Sequence, residues 1–203
     1  MSNSAAQTHR SATPLILASS SPRRRELLEA RGYRVEVVAP PIKEPTAVDR
    51  DLPPAQLAQA LSYFKAQSVG ISIDSGFILA GDTIAALGRR VFGKPADRAD
   101  ADRILTALSG TTHEVITGVT LLDAATGERA IRHETTAVTL RRLSADQVEA
   151  YLDSNAWIGK AGAFAIQDRD DPFVERIDGS FTNVVGFPME LIDRMLQEWG
   201  ISA

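Results

Sequence analysis

Apolar and polar positions along this chain fall into short runs, most of which read as single elements. Leu15 to Ala18 (LILA) is a continuous apolar run of strand length. A helix pattern follows, with Ser21 at its N-cap, Pro22 at its first position, Leu27, Leu28 and Ala30 on its apolar side, and Gly32 as its stop. Tyr33 to Ala39 alternates and predicts a second strand, and the prolines of PPIKEP (40–45) deny regular structure. Beyond Pro53 and Pro54, a helix is predicted with Leu57, Ala60, Leu61, Phe64 and Ser68 on one stripe. Two strand-like runs flank Gly88 and predict a hairpin. Asp97 to Leu108 reads as an amphipathic helix ended by Ser109-Gly110. HEVITGVTLLD and ERAIRHETTAVTLRRL read as strands joined around Ala124 to Gly127. Ser144 opens a helix to about Asp153 with Ala145, Val148 and Leu152 inward. GKAGAFAIQ and FVERI look like strands, and a last helix runs from about Pro188 to Trp199. Helices and strands interleave, so the predicted class is α/β or mixed α+β.

Bulk properties narrow the function. At 203 residues the chain is long enough for one domain with a real core or two small lobes. We expect residues 1–13 to be a mobile tail and 14–203 to be the folded part. The net charge of -4 argues against non-specific binding along nucleic acid or an anionic membrane. No apolar run approaches the ~20 residues of a membrane span. The absence of cysteine excludes thiolate chemistry and permits the cytoplasmic location that we expect.

Against this background SSSPRRR is unusual. A helix N-terminus carries about half a positive charge, so each of Arg23, Arg24 and Arg25 should cost roughly 0.3–1 kcal/mol there. An anion would offset that cost, and hydroxyls, helix N–H groups and arginine forks together suit phosphate. Successive helical residues point about 100° apart, so one or two of the three can face one ligand. Asp82 interrupts the apolar run FILAGDTIAAL and needs a cation, a metal or several donors. Glu44 stands in the rigid PPIKEP loop, and Lys94 (GKP) could return to the same neighbourhood. Two carboxylates plus water suit a hard cation such as magnesium. On position alone Lys65 reads as a surface lysine. Lys160 has small neighbours that would let a ligand come close. The amide of Gln167 suits a nucleobase edge, although a solvent-facing glutamine is commoner. GSFTNVVGFP reads as a shaped loop, equally a structural one. His113 and His133 lack metal spacing, and neither a zinc site nor a serine-nucleophile elbow is present.

Taken together, LASSSPRRRELL, IKEP, the lysine of SYFKA, AGDT, GKP, LSGTTHEVITGV, YLDSNAWIGKAGAFAIQ and GSFTNVVGFP resemble, in order, the Maf family of nucleoside triphosphate pyrophosphatases. The resemblance implies one catalytic domain of two lobes over 14–203, with an α/β fold similar to that of inosine triphosphatases, around an elongated mixed sheet with flanking helices and a central cleft. It implies hydrolysis of a nucleoside triphosphate to the monophosphate and pyrophosphate with Mg2+ or Mn2+. By that resemblance Asp82 is the catalytic residue, with Glu44 the second metal ligand. Ser19, Arg23, Arg24, Glu44, Lys65 and Lys94 match phosphate and metal positions, and Lys160 matches the lysine of KAG. Arg23, Thr83 and Gln167 match positions that choose the base. The SPRR, KAG and IQ features look more like the branch acting on dTTP, UTP and modified pyrimidine nucleotides. The chain departs from that branch in AGDT where ADT is commoner, in Phe164 and Phe181 where tyrosine is common, and in DRDDPF after Gln167. Alternatives are a pyrophosphatase for 7-methyl-GTP or another purine triphosphate, and a nucleotide-binding cell-division regulator without turnover. The resemblance suggests a homodimer.

Overall fold

All but one of the predicted strands come together in one sheet. The computed structural model describes residues 14–41, 52–164, 166 and 173–203. Its elements are β1 (Leu15–Ala18), α1 (Pro22–Ala30), β2 (Val35–Val37), α2 (Pro54–Gly70), β3 (Phe77–Leu87), β4 (Arg90–Phe92), α3 (Arg98–Leu108), β5 (Thr112–Asp123), β6 (Arg129–Leu140), α4 (Ala145–Asp153), a 3-10 turn (Ala161–Ala163), β7 (Val174–Asp178), α5 (Phe181–Val185) and α6 (Met189–Glu198). The strands form a seven-stranded mixed sheet in the order β2-β1-β3-β5-β6-β7, with β4 also paired to β3. β1 is parallel to both its neighbours, and the other pairings are antiparallel. This is the mixed α/β architecture expected from the interleaved pattern.

One irregularity of the sheet positions the site. β1 stays beside β3 as far as Ala18 opposite Ala80, and β4 takes up the same edge only at Phe92 opposite Ala85. Gly81 to Ile84 therefore have β5 on one side and no described strand on the other. Packing divides at the same place. On one face of the sheet, Leu15, Leu17, Phe77 and Leu79 pack with Leu28 of α1 and Ile192, Met195 and Leu196 of α6. Further along that face, Ala85, Val115 and Val138 pack with Ile104 and Leu105 of α3, Leu152 of α4 and Phe164. The opposite face is covered by α2, through Ala66 and Val69 at one end and Ala58 at the other.

α2 corrects the predicted stripe. Its buried positions are Ala58, Leu61, Ser62, Ala66, Ser68 and Val69, while Phe64 is 36% exposed. Small residues win because the helix lies almost on the sheet: a Cβ at Gly118 of β5 would stand 2.1 Å from the Ala58 carbonyl oxygen. The hydroxyls of Ser62 and Thr120 meet at 2.8 Å across the same contact. This rotation turns Lys65 toward the sheet.

Other expectations also shift. The second strand is only Val35–Val37. GKAGAFAIQ is not a strand over its described part; Gly162, at φ 74°, bends it into the 3-10 turn. GSFTNVVGFP contains α5, whose N-cap Ser180 accepts from the Asn183 N–H. Ala145 is exposed, although Val148 and Leu152 are buried as expected, and the Ser144–Gln147 capping box is formed. Ser21 holds the N-cap position of α1 without a side-chain cap. The tail 1–13, and residues 42–45 of the proline loop, lie outside the described residues.

His113 is 1% exposed, and neither ring nitrogen has a hydrogen-bond partner among the described residues. Its ring meets Phe164 edge-on, 5.2 Å between centroids. Burial lowers its pKa to about 4, against about 6.5 in an unfolded chain. The unfolded state therefore takes up this proton first as pH falls. The stabilisation is complete above pH ~6.5 and is lost progressively toward pH ~4. Denaturant titrations should show a pH-dependent loss of about 2–3 kcal/mol by pH ~4.5 that His113→Phe lacks. Equal pH slopes for the two proteins would contradict this.

Candidate active site

The three consecutive arginines separate into three roles. Arg25 is exposed and pairs with Glu29 one turn on, at 2.7 Å. Arg24 is buried. Its Nε donates to the Gly186 carbonyl (2.9 Å), one terminal nitrogen to the Gly81 carbonyl (2.6 Å) and Ser19 Oγ (3.2 Å), and the other to Thr83 Oγ1 (3.1 Å). Its guanidinium also stands over the Phe187 ring. Arg24 thus ties the turn after β1, the uncovered edge of β3 and the loop after α5 to one another. Arg23 is partly buried, and burial lowers its pKa against the opposing pull of Glu26.

Ser19 is buried at the end of β1, where its hydroxyl also accepts the Ser21 N–H at 3.2 Å. Thr83 Oγ1 bonds to Thr117 Oγ1 (2.9 Å) and donates to the Gly186 carbonyl (3.2 Å). Gly81 is required beside this network, since a Cβ there would lie 2.7 Å from the Phe187 ring. That contact accounts for AGDT where the branch more often has ADT.

Strand alternation sends Asp82 to the opposite face from Thr83. There α2 presents Lys65, and the two form an ion pair with side chains 7% and 13% exposed. Lys65 is therefore not a surface lysine. An acid in an apolar strand has found its cation, as burial of charge demands.

The remaining cations arrive on turns. Lys160 precedes the 3-10 turn. Its pKa is lowered, first by burial and then by the neighbouring Arg23 guanidinium. Among the described residues neither Lys160 nor Arg23 makes an ion pair, so two positive side chains face each other where an anion would be favoured. Lys94 is exposed just beyond β4. Its turn is tied to that of Lys160 by the Gly162 N–H donating to the Gly93 carbonyl at 3.1 Å. Glu44 and Gln167 lie outside the described residues. The sequence reading missed Gly186 and Thr117 as parts of the arrangement. The S-x-x-N spacing of Ser180 and Asn183 was the available signal that the loop ending at Gly186 is built on a helix.

A carboxylate and a lysine on one face of an uncovered strand, a serine–arginine–threonine network on the other, and two cations that make no ion pair among the described residues form an arrangement that can hold a polyanion and act on water near it. Comparison with known proteins agrees with this chemistry. A family model described as Maf-like protein matches residues 14–199. A dTTP/UTP pyrophosphatase of Moorella thermoacetica is 42% identical over 187 residues, covering 92% of this chain and 95% of that protein. One from Carboxydothermus hydrogenoformans is 41% identical over 186 residues, covering 92% and 98%. One from Desulforamulus reducens is 37% identical over 188 residues, covering 93% and 97%. With its ordered motifs, its mixed sheet and a family match over nearly its whole length, the chain belongs to the Maf-like protein family.

Proposed function

We propose that this protein is a nucleoside triphosphate pyrophosphatase acting on dTTP and UTP. The observation that carries the reading is the pairing of Asp82 with Lys65 at the uncovered edge of β3, beside the Arg23–Lys160 cation pair, in a chain whose relatives bear that activity in their names. Asp82 orients the attacking water and accepts its proton, and Lys65 fixes the carboxylate. Arg23, Lys160 and Lys94 neutralise the charge that develops on the phosphates as the α–β bond breaks. Arg24 and Ser19 hold the frame, and Thr83, with Gln167 outside the described residues, stands on the base side.

The donors suit a divalent cation held mainly by the substrate. Asp82 offers hard carboxylate oxygens, and Glu44 would be the second protein ligand. Among the described residues no group of three His, Cys, Asp or Glu could hold an ion by itself. Mg2+ or Mn2+ in that position would offset triphosphate charge and lower the pKa of water. No described helix is long and apolar enough to cross a membrane. Cytoplasmic placement, a homodimer and a single two-lobed catalytic unit over 14–203 belong to the same proposal.

The test is pyrophosphate release with Mg2+ or Mn2+ from dTTP, UTP, CTP, GTP, ATP, ITP and 7-methyl-GTP. Turnover led by dTTP and UTP supports the proposal; turnover led by a purine overturns the substrate, and binding without product overturns the reaction. Arg23→Ala should lower kcat/KM by about 10–100-fold, mostly through KM, as loss of a charge-assisted phosphate contact predicts. Unchanged steady-state constants would remove Arg23 from the phosphates.

A further inference from the structure

The Gly186 carbonyl accepts from both Arg24 and Thr83, so whatever fixes that carbonyl fixes the junction they make. Gly186 closes α5. Its N–H donates to the Asn183 carbonyl at 3.0 Å and to the Thr182 carbonyl at 3.1 Å, and the Phe187 N–H donates to the Thr182 carbonyl at 2.9 Å. A helix of five residues cannot hold such a turn still by itself, since isolated helices this short do not persist in water. Asn183 supplies the anchor. It is fully buried. Its side-chain nitrogen donates to the Val115 carbonyl of β5 (2.9 Å), and to Thr136 Oγ1 (2.9 Å) and the Glu134 carbonyl (3.3 Å) of β6. Oxygens from two strands around one nitrogen settle which end of the amide faces the sheet. The other end, Oδ1, is buried with no partner among the described residues. Burying that oxygen unmet costs stability, so stability alone does not favour asparagine here.

We propose that Asn183 is a positioning residue for the hydrolysis: its amide locks α5 onto β5 and β6, and through the Gly186 carbonyl it sets Arg24 and the spacing between Arg23 and Asp82. The inference rests on the pyrophosphatase reading above and names what holds that site in register. Arg23 and Asp82 come from different segments, α1 and β3. Arg24, next to Arg23 in the chain, joins those segments through Ser19 on one side and Gly81 and Thr83 on the other. These contacts lie along one edge of the guanidinium. The bond from its Nε to Gly186 and the Phe187 ring below it fix the plane as well. Both of those partners directly follow α5, so a shift of α5 moves them together. Asn183 lies in the contact between helix and sheet, and therefore acts through this chain of bonds and not on the substrate. A misplacement of about 1 Å at the end of such a chain can cost up to about 100-fold in rate.

Solvent exchange of the Arg24 Nε–H, followed by NMR in isotope-labelled full-length protein and assigned by its loss in Arg24→Lys, reports the bond to Gly186 directly. The buried indole N–H of Trp157, which donates to the Leu152 carbonyl at 3.0 Å, is the internal control. Asn183→Ala should speed exchange at Arg24 at least about tenfold and leave Trp157 within about twofold. With UTP it should lower kcat/KM by about 10–100-fold in the otherwise wild-type protein, but by no more than about twofold in Arg24→Lys, where a residue acting through Arg24 has little left to set. Unchanged exchange at Arg24 overturns the inference. So does equal acceleration at Arg24 and Trp157, which is general loosening, and so do losses in kcat/KM that simply add. Should Asn183→Ala not fold, Gly186→Ala decides by the same measurements. Its methyl would meet only Thr83 Oγ1, at 3.8 Å, but φ 124° suits glycine, so the turn and its carbonyl must move. A wild type that releases no pyrophosphate overturns the pyrophosphatase reading, and the exchange rates then decide whether Asn183 sets Arg24.

Discussion

Asp82→Asn is expected to lower kcat by about 10²–10⁴-fold while the protein stays folded. Asparagine has nearly the same shape and keeps an oxygen that can accept from Lys65. Stability should therefore fall much less than it would if the buried lysine lost its partner outright. What asparagine cannot do is accept a proton from water or offer an anionic oxygen to a cation. Both losses act on the chemical step, so the fall should appear in kcat, with KM for UTP changing little. The measurement is steady-state pyrophosphate release alongside circular dichroism. Turnover within about threefold of wild type, from a folded variant, would remove Asp82 from the mechanism.

Gly118→Ala should be the most damaging single methyl addition in the described core. A Cβ at that position would lie 2.1 Å from the Ala58 carbonyl oxygen, 2.3 Å from its carbon and 2.5 Å from the Gln59 nitrogen. All three are backbone atoms of α2, so no side chain can swing aside; the helix itself must lift. The cost should reach about 3–4 kcal/mol, above the usual range for overpacking because backbone rather than side chain must move, and lower Tm by roughly 10 °C. Lifting α2 also draws Lys65 from Asp82, so kcat should fall in step with stability. A Tm within about 2 °C of wild type would mean that helix and sheet do not approach so closely.

The pattern of the chain revealed element order and class because strands and helices alternate with clear breaks, as at Gly88 and Ser109-Gly110. It failed where small residues decide. Of the stripe Leu57, Ala60, Leu61, Phe64 and Ser68 that hydrophobicity predicts, Leu61 and Ser68 are buried, but the face is set by Ala58, Ser62 and Ala66, which allow close approach to Gly118. The same error put Lys65 at the surface. GKAGAFAIQ alternated like a strand because its small residues carry no strong signal, and a positive φ at Gly162 overrides the alternation. At the site, Asp82 was legible as a misplaced charge and Arg23 as a cation at the wrong helix end. The role of Arg24 was not. Whether a guanidinium faces a ligand or four carbonyl and hydroxyl groups of its own protein depends on contacts between segments far apart in the chain.

The mixed sheet also has a temporal consequence. β5 and β6 form a hairpin closed by a short turn, and β3 joins β5 in antiparallel fashion, so most of the sheet can zip from local contacts. β1 pairs in parallel with β3 far along the chain, an arrangement with a larger loop-closure entropy and a slower search. It brings Ser19, Arg23 and Arg24 with it. The corner that carries Ser19, Arg23 and Arg24 is therefore expected to be the last part assembled. In pulse-labelled hydrogen exchange during refolding, β5 and β6 amides should become protected before those of β1. Early protection of β1 would reverse that order. A protein that folds in this sequence has a sheet before it has an active site.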